Sequence, residues 1–178
     1  MLEFDPEDVV AIHASSVFSQ KGALLFLGPS GTGKTTACNL FGSHMEILAE
    51  DAVYLVPHPA PHPNNGWEVF CGDKFAHIET VQSFLERATA LSHVPLRAIF
   101  RLRQAEVPRL EKIDPLLTCR YLTDAFFEVV QQRSYTLEVK RRAFSVLAEV
   151  ARFLRGYEFN FDLSPKTLDI LNREMELW

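Results

Sequence analysis

The stretch Gly28-Pro29-Ser30-Gly31-Thr32-Gly33-Lys34-Thr35 fits the P-loop pattern G-x-x-x-x-G-K-[ST] in full. Before it, Ala23-Leu24-Leu25-Phe26-Leu27 is a short apolar run, and after it Thr35-Thr36-Ala37-Cys38-Asn39-Leu40-Phe41 can begin a helix. The motif therefore has the strand, loop and helix context that its chemistry needs. Glycines let the main chain curl until successive N–H groups converge on a phosphate, and the positive end of the helix dipole adds to that field. Lys34 is expected to reach the outer phosphates, Thr35 to offer its hydroxyl to a magnesium ion, and Pro29, Ser30, Thr32 and Thr36 to complete the cradle.

With 178 residues, 47% apolar and 23% charged, the chain reads as one globular domain spanning 1–178. Its formal net charge of -5 leaves no basic surplus for non-specific binding to nucleic acid or an anionic membrane, so neither is an expected partner. The three cysteines, Cys38, Cys71 and Cys119, form no C-x-x-C pair; they indicate neither a zinc site nor a disulfide framework and read as reduced thiols. Met1-Leu2-Glu3-Phe4-Asp5-Pro6-Glu7-Asp8 is acidic where a signal peptide would be basic, and no apolar run reaches membrane-spanning length, so a cytoplasmic chain is expected.

Val9 to Phe18 reads as a strand that reaches the turn-like Ser19-Gln20-Lys21-Gly22 just before the P-loop strand, which predicts an antiparallel hairpin leading into the loop. Generic P-loop proteins instead enter that strand through a parallel crossover. Glu46 to Val56 reads as a strand interrupted by Glu50 and Asp51, and Trp67-Glu68-Val69-Phe70 as its return after a proline-rich tip from Pro57 to Gly66. A loop over Gly72 to His77 and a helix over Glu79 to Ala88 follow. Pro95 to Arg103 alternates arginine with apolar residues over its second half, as a strand with one wet or ligand-facing side would. Arg109 to Ile113 is one more strand, and a mostly helical segment starts at Asp114-Pro115. The clearest helix runs from about Thr136 to Arg155, with Gly156 after its end and its apolar face on the sheet. Tyr157 to Phe161 is a late strand, and Ser164-Pro165 starts a last helix ending near Met175.

Acids close behind a P-loop matter because phosphoryl transfer is mostly positioning and charge neutralisation: magnesium needs an anionic ligand and an attacking hydroxyl needs a proton acceptor. Glu50 and Asp51 could supply both. On a regular strand neighbouring residues point to opposite faces, so at most one is expected to face the nucleotide, and Asp51 is favoured.

His13, the loop Gly28 to Thr35 and the strand Ala49-Glu50-Asp51-Ala52-Val53 together resemble the catalytic core of the HPr serine kinase/phosphorylase family, over roughly residues 10 to 56. The resemblance implies a phosphoenolpyruvate carboxykinase-like α/β fold, a mixed sheet with a β-hairpin leading into the P-loop and flanking helices. It further implies ATP (or GTP) and Mg2+ as cofactors, and transfer of the γ-phosphoryl group to a hydroxyl, as in serine, of a peptide, protein or small molecule. Lys34 and Thr35 would hold phosphates and magnesium, Asp51 would match the family's second paired aspartate, and His13 would sit beside the transferred phosphate. Glu50 takes the place of the first aspartate, one methylene longer. The N-terminal domain of the bacterial regulators and the family's later glycine- and arginine-rich signature have no counterpart in this chain. Two alternatives stay open: a nucleotide-binding regulatory module with weakened catalysis, and a generic P-loop ATPase or GTPase. A homo-oligomer is compatible with all three.

His58 and His62 lack the helical geometry of a metal pair. Lys74 and Arg97 could reach phosphates or an acidic acceptor but read first as surface charges, as do Arg101, Arg103 and Arg109.

Overall fold

A turn at Gln20-Lys21 folds β2 (Ser15–Ser19) back on β3 (Gly22–Leu27) in antiparallel register, Ser19 facing Gly22 and Ser15 facing Phe26. This is the hairpin expected from the sequence, and it delivers the chain to the P-loop at the C-terminal end of β3. The computed structural model describes residues 8–42, 45–57, 66–71, 94–131 and 135–176. On its other edge β3 pairs in parallel with β7 (Val94–Gln104), and β7 pairs in parallel with β9 (Arg155–Phe161). The P-loop strand thus lies in a mixed sheet, closed on this side by β8 (Arg109–Ile113) antiparallel to β9.

β1 (Val10–His13) pairs antiparallel with β5 (Ala52–Pro57), and β5 with β6 (Trp67–Cys71). β7 changes partner along one edge: β6 meets it at Val94 and Pro95, and β9 takes over from Ala98. That exchange of neighbours curls the sheet.

The strand expected from Val9 to Phe18 is divided at Ala14, and the one from Glu46 to Val56 is divided at Glu50-Asp51 into β4 (Glu46–Ala49) and β5. The two breaks lie opposite each other. His13 faces Ala52, the Ala14 N–H donates to the Asp51 carbonyl at 3.2 Å, the Ser15 hydroxyl donates to the Glu50 carbonyl, and Ser16 faces Ala49. The four strands are one antiparallel ribbon, bent in the middle.

Both faces of the sheet are covered. On one, α1 (Lys34–Phe41) and α4 (Pro165–Glu176) enclose a core of Val17, Phe26, Phe100, Phe159 and Phe161, with Phe26 and Phe41 stacked at 5.4 Å. On the other, α2 (Pro115–Val130) and α3 (Leu137–Phe153) cover Ile12, Leu25, Leu27 and Ile99. Local signals start both helices: the Asp114 carboxylate accepts the Leu117 N–H at 2.8 Å with Pro115 next to it, and the Thr136 hydroxyl accepts the Val139 N–H at 3.3 Å.

Two expectations for α3 need correction. It packs chiefly on α2 and touches the sheet at β1, and it ends at Phe153, with Arg155 and Gly156 already in β9. Gly156 is no helix stop: a Cβ built there would lie 1.9 Å from Thr118 Oγ1, so glycine is what lets α2 approach β9. The expected hairpin tip with His58 and His62, and the expected loop and helix around Lys74, lie outside the described residues. Among the described residues no helix is long and apolar enough to cross a membrane.

Candidate functional site

Between β3 and α1 the P-loop turns through Gly31 at φ +81° and Gly33 at φ +95°, and Gly33 stands directly before the helix. A left-handed residue at that position swings the chain from strand into helix, a conformation that costs glycine little. Thr32 ties the loop to itself, its N–H (3.2 Å) and hydroxyl (2.6 Å) both donating to the Pro29 carbonyl. The first turn of α1 holds no acid, so nothing there offsets the positive end of its dipole. Thr35 and Thr36 are exposed on that turn.

Lys34 is only 7% exposed and donates from Nζ to the carbonyls of Gly28 (2.6 Å) and Pro29 (3.2 Å). Its ammonium therefore lies across the loop. Burial holds its pKa below the ordinary lysine value; the nearby carboxylates of Glu128 and Asp51 oppose that shift, and Arg101 adds to it.

His13 ends β1 where the ribbon bends, with its ring 18% exposed. Its Nδ1 lies 3.2 Å from Asp51 Oδ1 and its Nε2 3.5 Å from Glu128 Oε2 on α2. Glu50 and Asp51 lie in the bend, outside both strands, and both are exposed. Strand alternation therefore does not force them to opposite faces, which removes the premise that at most one can face the nucleotide.

Lys34, His13 and Asp51, read from the sequence as one group, come together beside the P-loop. Arg97 does not join them. It sits at the opposite end of β3, its Nε donating to the Lys21 carbonyl at the β2–β3 turn. Arg103 and Arg109 are exposed and paired, with Glu158 (3.3 Å) and Glu111 respectively, as surface charges are expected to be. Arg101 is different: its Nε is buried, and its guanidinium stands 5.1 Å from the centre of the Tyr121 ring.

Sequence reasoning missed Glu128 beside His13, and it read Arg101 as a surface charge although its Nε is buried. Glu128 lies inside a helix with no motif around it, so nothing local marks it. For Arg101 a signal was present, since the alternation along β7 announced a wet or ligand-facing side.

The donor set suits a magnesium-bound polyphosphate: a glycine loop opening a helix, a buried ammonium, and exposed oxygens on Thr35 and Asp51. Among the described residues no group of three or more His, Cys, Asp or Glu could hold a metal by itself. No family model and no curated protein sequence matches the chain.

Proposed function

We propose that the chain is an ATP (or GTP)- and magnesium-dependent phosphotransferase of the HPr serine kinase-like type, on a phosphoenolpyruvate carboxykinase-like fold, acting on a hydroxyl such as that of serine. One observation carries the reading: Lys34, His13 and Asp51, from a loop-helix junction, a strand and a ribbon bend, meet at the C-terminal end of β3. The antiparallel β2–β3 pairing also speaks against a generic P-loop ATPase or GTPase, whose loop strand belongs to a parallel sheet.

In this reading the P-loop N–H groups and Lys34 hold the phosphates, while Thr35 and Asp51 supply protein oxygens to magnesium, which neutralises phosphate charge. As the base instead of a magnesium ligand, Asp51 would accept the proton of the incoming hydroxyl. The acceptor oxygen bonds to the γ-phosphorus, the bond from that phosphorus to the β–γ bridging oxygen breaks, and the nucleoside diphosphate leaves. His13, between the carboxylates of Asp51 and Glu128, lines the path of the transferred group. The burial of Lys34 strengthens its field, because a charge out of water is less screened.

The test incubates the protein with labelled ATP, magnesium and serine-containing peptides. A phosphoserine product is expected, with Asp51→Asn lowering transfer by about 100-fold or more while ATP still binds. Normal transfer by the Asn variant would remove Asp51 from the mechanism. ATP binding without transfer to any acceptor would favour the regulatory-module alternative.

A further inference from the structure

We propose that Arg101 is a second phosphate-binding cation of this site, placed to take the outer phosphate of a nucleoside triphosphate held by Lys34 and the P-loop. The proposal rests on the nucleotide-binding reading above and adds a residue which the P-loop motif does not contain.

Register places Arg101 at the loop. In the parallel β3–β7 pair it lies beside Leu27, the residue before Gly28, and in the β7–β9 pair beside Glu158. Period-two alternation puts Ile99, Arg101 and Arg103 on one face of β7, and Ile99 belongs to the core under α2 and α3. On that side the Tyr121 ring stacks against the guanidinium. α2 carries Tyr121 and Glu128 two turns apart, so the helix that supports Arg101 also brings a carboxylate to His13.

Arginine has five donors in a planar fork, and stacking on an aromatic face fixes the plane while leaving the edge free for oxygens. The neighbouring carboxylate is already engaged: Glu158 accepts the Tyr121 hydroxyl and pairs with Arg103 at 3.3 Å. Among the described residues Arg101 has no carboxylate partner, and its buried Nε has no hydrogen-bond partner. A buried N–H of a charged group without an acceptor is unfavourable and rare. The Arg101 charge reaches Lys34, and register sets Arg101 beside Leu27, the strand residue that leads into the loop. A polyphosphate would give Arg101 the anionic acceptors it lacks, in a fork-matching geometry, and would give Lys34 charged oxygens in place of the neutral carbonyls of Gly28 and Pro29.

Calorimetric titration of ATP, ADP and inorganic tripolyphosphate, each with magnesium, into wild type, Arg101→Gln, Arg101→Lys and Lys34→Ala tests this. Arg101→Gln should weaken ATP and tripolyphosphate by about 10- to 100-fold but ADP by less than about 3-fold, with Arg101→Lys recovering part of the loss. Its ligand-free melting temperature should stay level or rise, because an unpaired buried donor and a like-charge neighbour have been removed. Unchanged ATP affinity in Arg101→Gln, with binding lost in Lys34→Ala, would overturn the role of Arg101 and leave the P-loop reading standing. Equal weakening of ATP and ADP with a lower ligand-free melting temperature would assign Arg101 a packing role instead. If wild type bound none of the three probes, the nucleotide reading itself would fail, and this proposal with it.

Discussion

Replacing Gly33 by alanine should cost the fold about 2–3 kcal/mol and the proposed nucleotide binding about 1.4 kcal/mol or more. The backbone at Gly33 sits at φ +95°, ψ 26°, where an L side chain meets its own carbonyl at about 1–2 kcal/mol. A Cβ there would also lie 3.0 Å from Gln104 Nε2 and 3.0 Å from Phe161 Cζ. Gln104 is exposed and its amide can swing away; Phe161 is 2% exposed and stands in the aromatic core 6.3 Å from Phe159, so it yields only by disturbing that packing, at about 1 kcal/mol. For a domain of this size each kcal/mol lowers the melting temperature by about 2–4 °C, so thermal unfolding should fall by about 4–12 °C. ATP titration well below that transition should show affinity reduced by about tenfold or more, because in the proposed reading the strained residue is the one that would aim the loop N–H groups at the phosphates. A Gly33→Ala/Gln104→Ala double variant should recover less than about 0.5 kcal/mol, since it relieves the cheap contact and leaves the backbone strain. Full recovery in the double variant, or a single-variant cost below about 0.5 kcal/mol, would refute the backbone argument.

Two further predictions follow from the polar contacts. Glu128→Gln removes one carboxylate from His13 in a half-exposed pair, so it should change stability by less than about 1 kcal/mol yet slow any phosphoryl transfer by about tenfold; equal rates for variant and wild type would exclude Glu128 from the site. Tyr157, 3% exposed and donating to Glu174 at 2.5 Å, has its phenol pKa pushed up to about 12 from 10.0, first by burial and then by Glu174. A folded pKa raised above the unfolded one gives stability that is complete below about pH 10 and lost as pH rises toward 12. Urea midpoints measured from about pH 9 to about pH 12 should therefore fall more steeply for wild type than for Tyr157→Phe, and parallel curves would contradict the shift.

What the sequence made legible was local. The P-loop, the tight β2–β3 turn, the helix starts at Asp114 and Thr136 and the alternation of β7 each depend on residues within a few positions of one another, and each stands where it was expected. What stayed hidden depends on tertiary approach. Gly156 read as a helix stop because it follows an amphipathic run, yet its reason is Thr118 on another helix. Arg97 and Arg101 look alike as two arginines of one alternating strand, but one holds the β2–β3 turn and the other lies beside the P-loop. Composition and period carry no information on which is which.

That distinction comes from a single irregularity. Ala23 pairs with Leu96 but Leu24 with Ala98, so β7 carries an extra residue at Arg97, whose side chain is anchored to the Lys21 carbonyl. Without the bulge Leu27 would pair with Phe100, and since a one-residue slip exchanges faces, the arginine would leave the side of the sheet that carries Leu27. A second irregularity, the bend shared by Ala14 and Glu50-Asp51, frees the acids from strand alternation while the Ala14 N–H and Ser15 hydroxyl hold their carbonyls in place. The candidate site is thus assembled at the two places where the sheet departs from regular pairing. Its charged groups meet because a β-bulge and a bend set their registers, with the P-loop as the fixed point between them. Arg97 stands at the shift itself, at the far end of β3 from the site and held to the Lys21 carbonyl, and the register that follows it brings Arg101 beside Leu27.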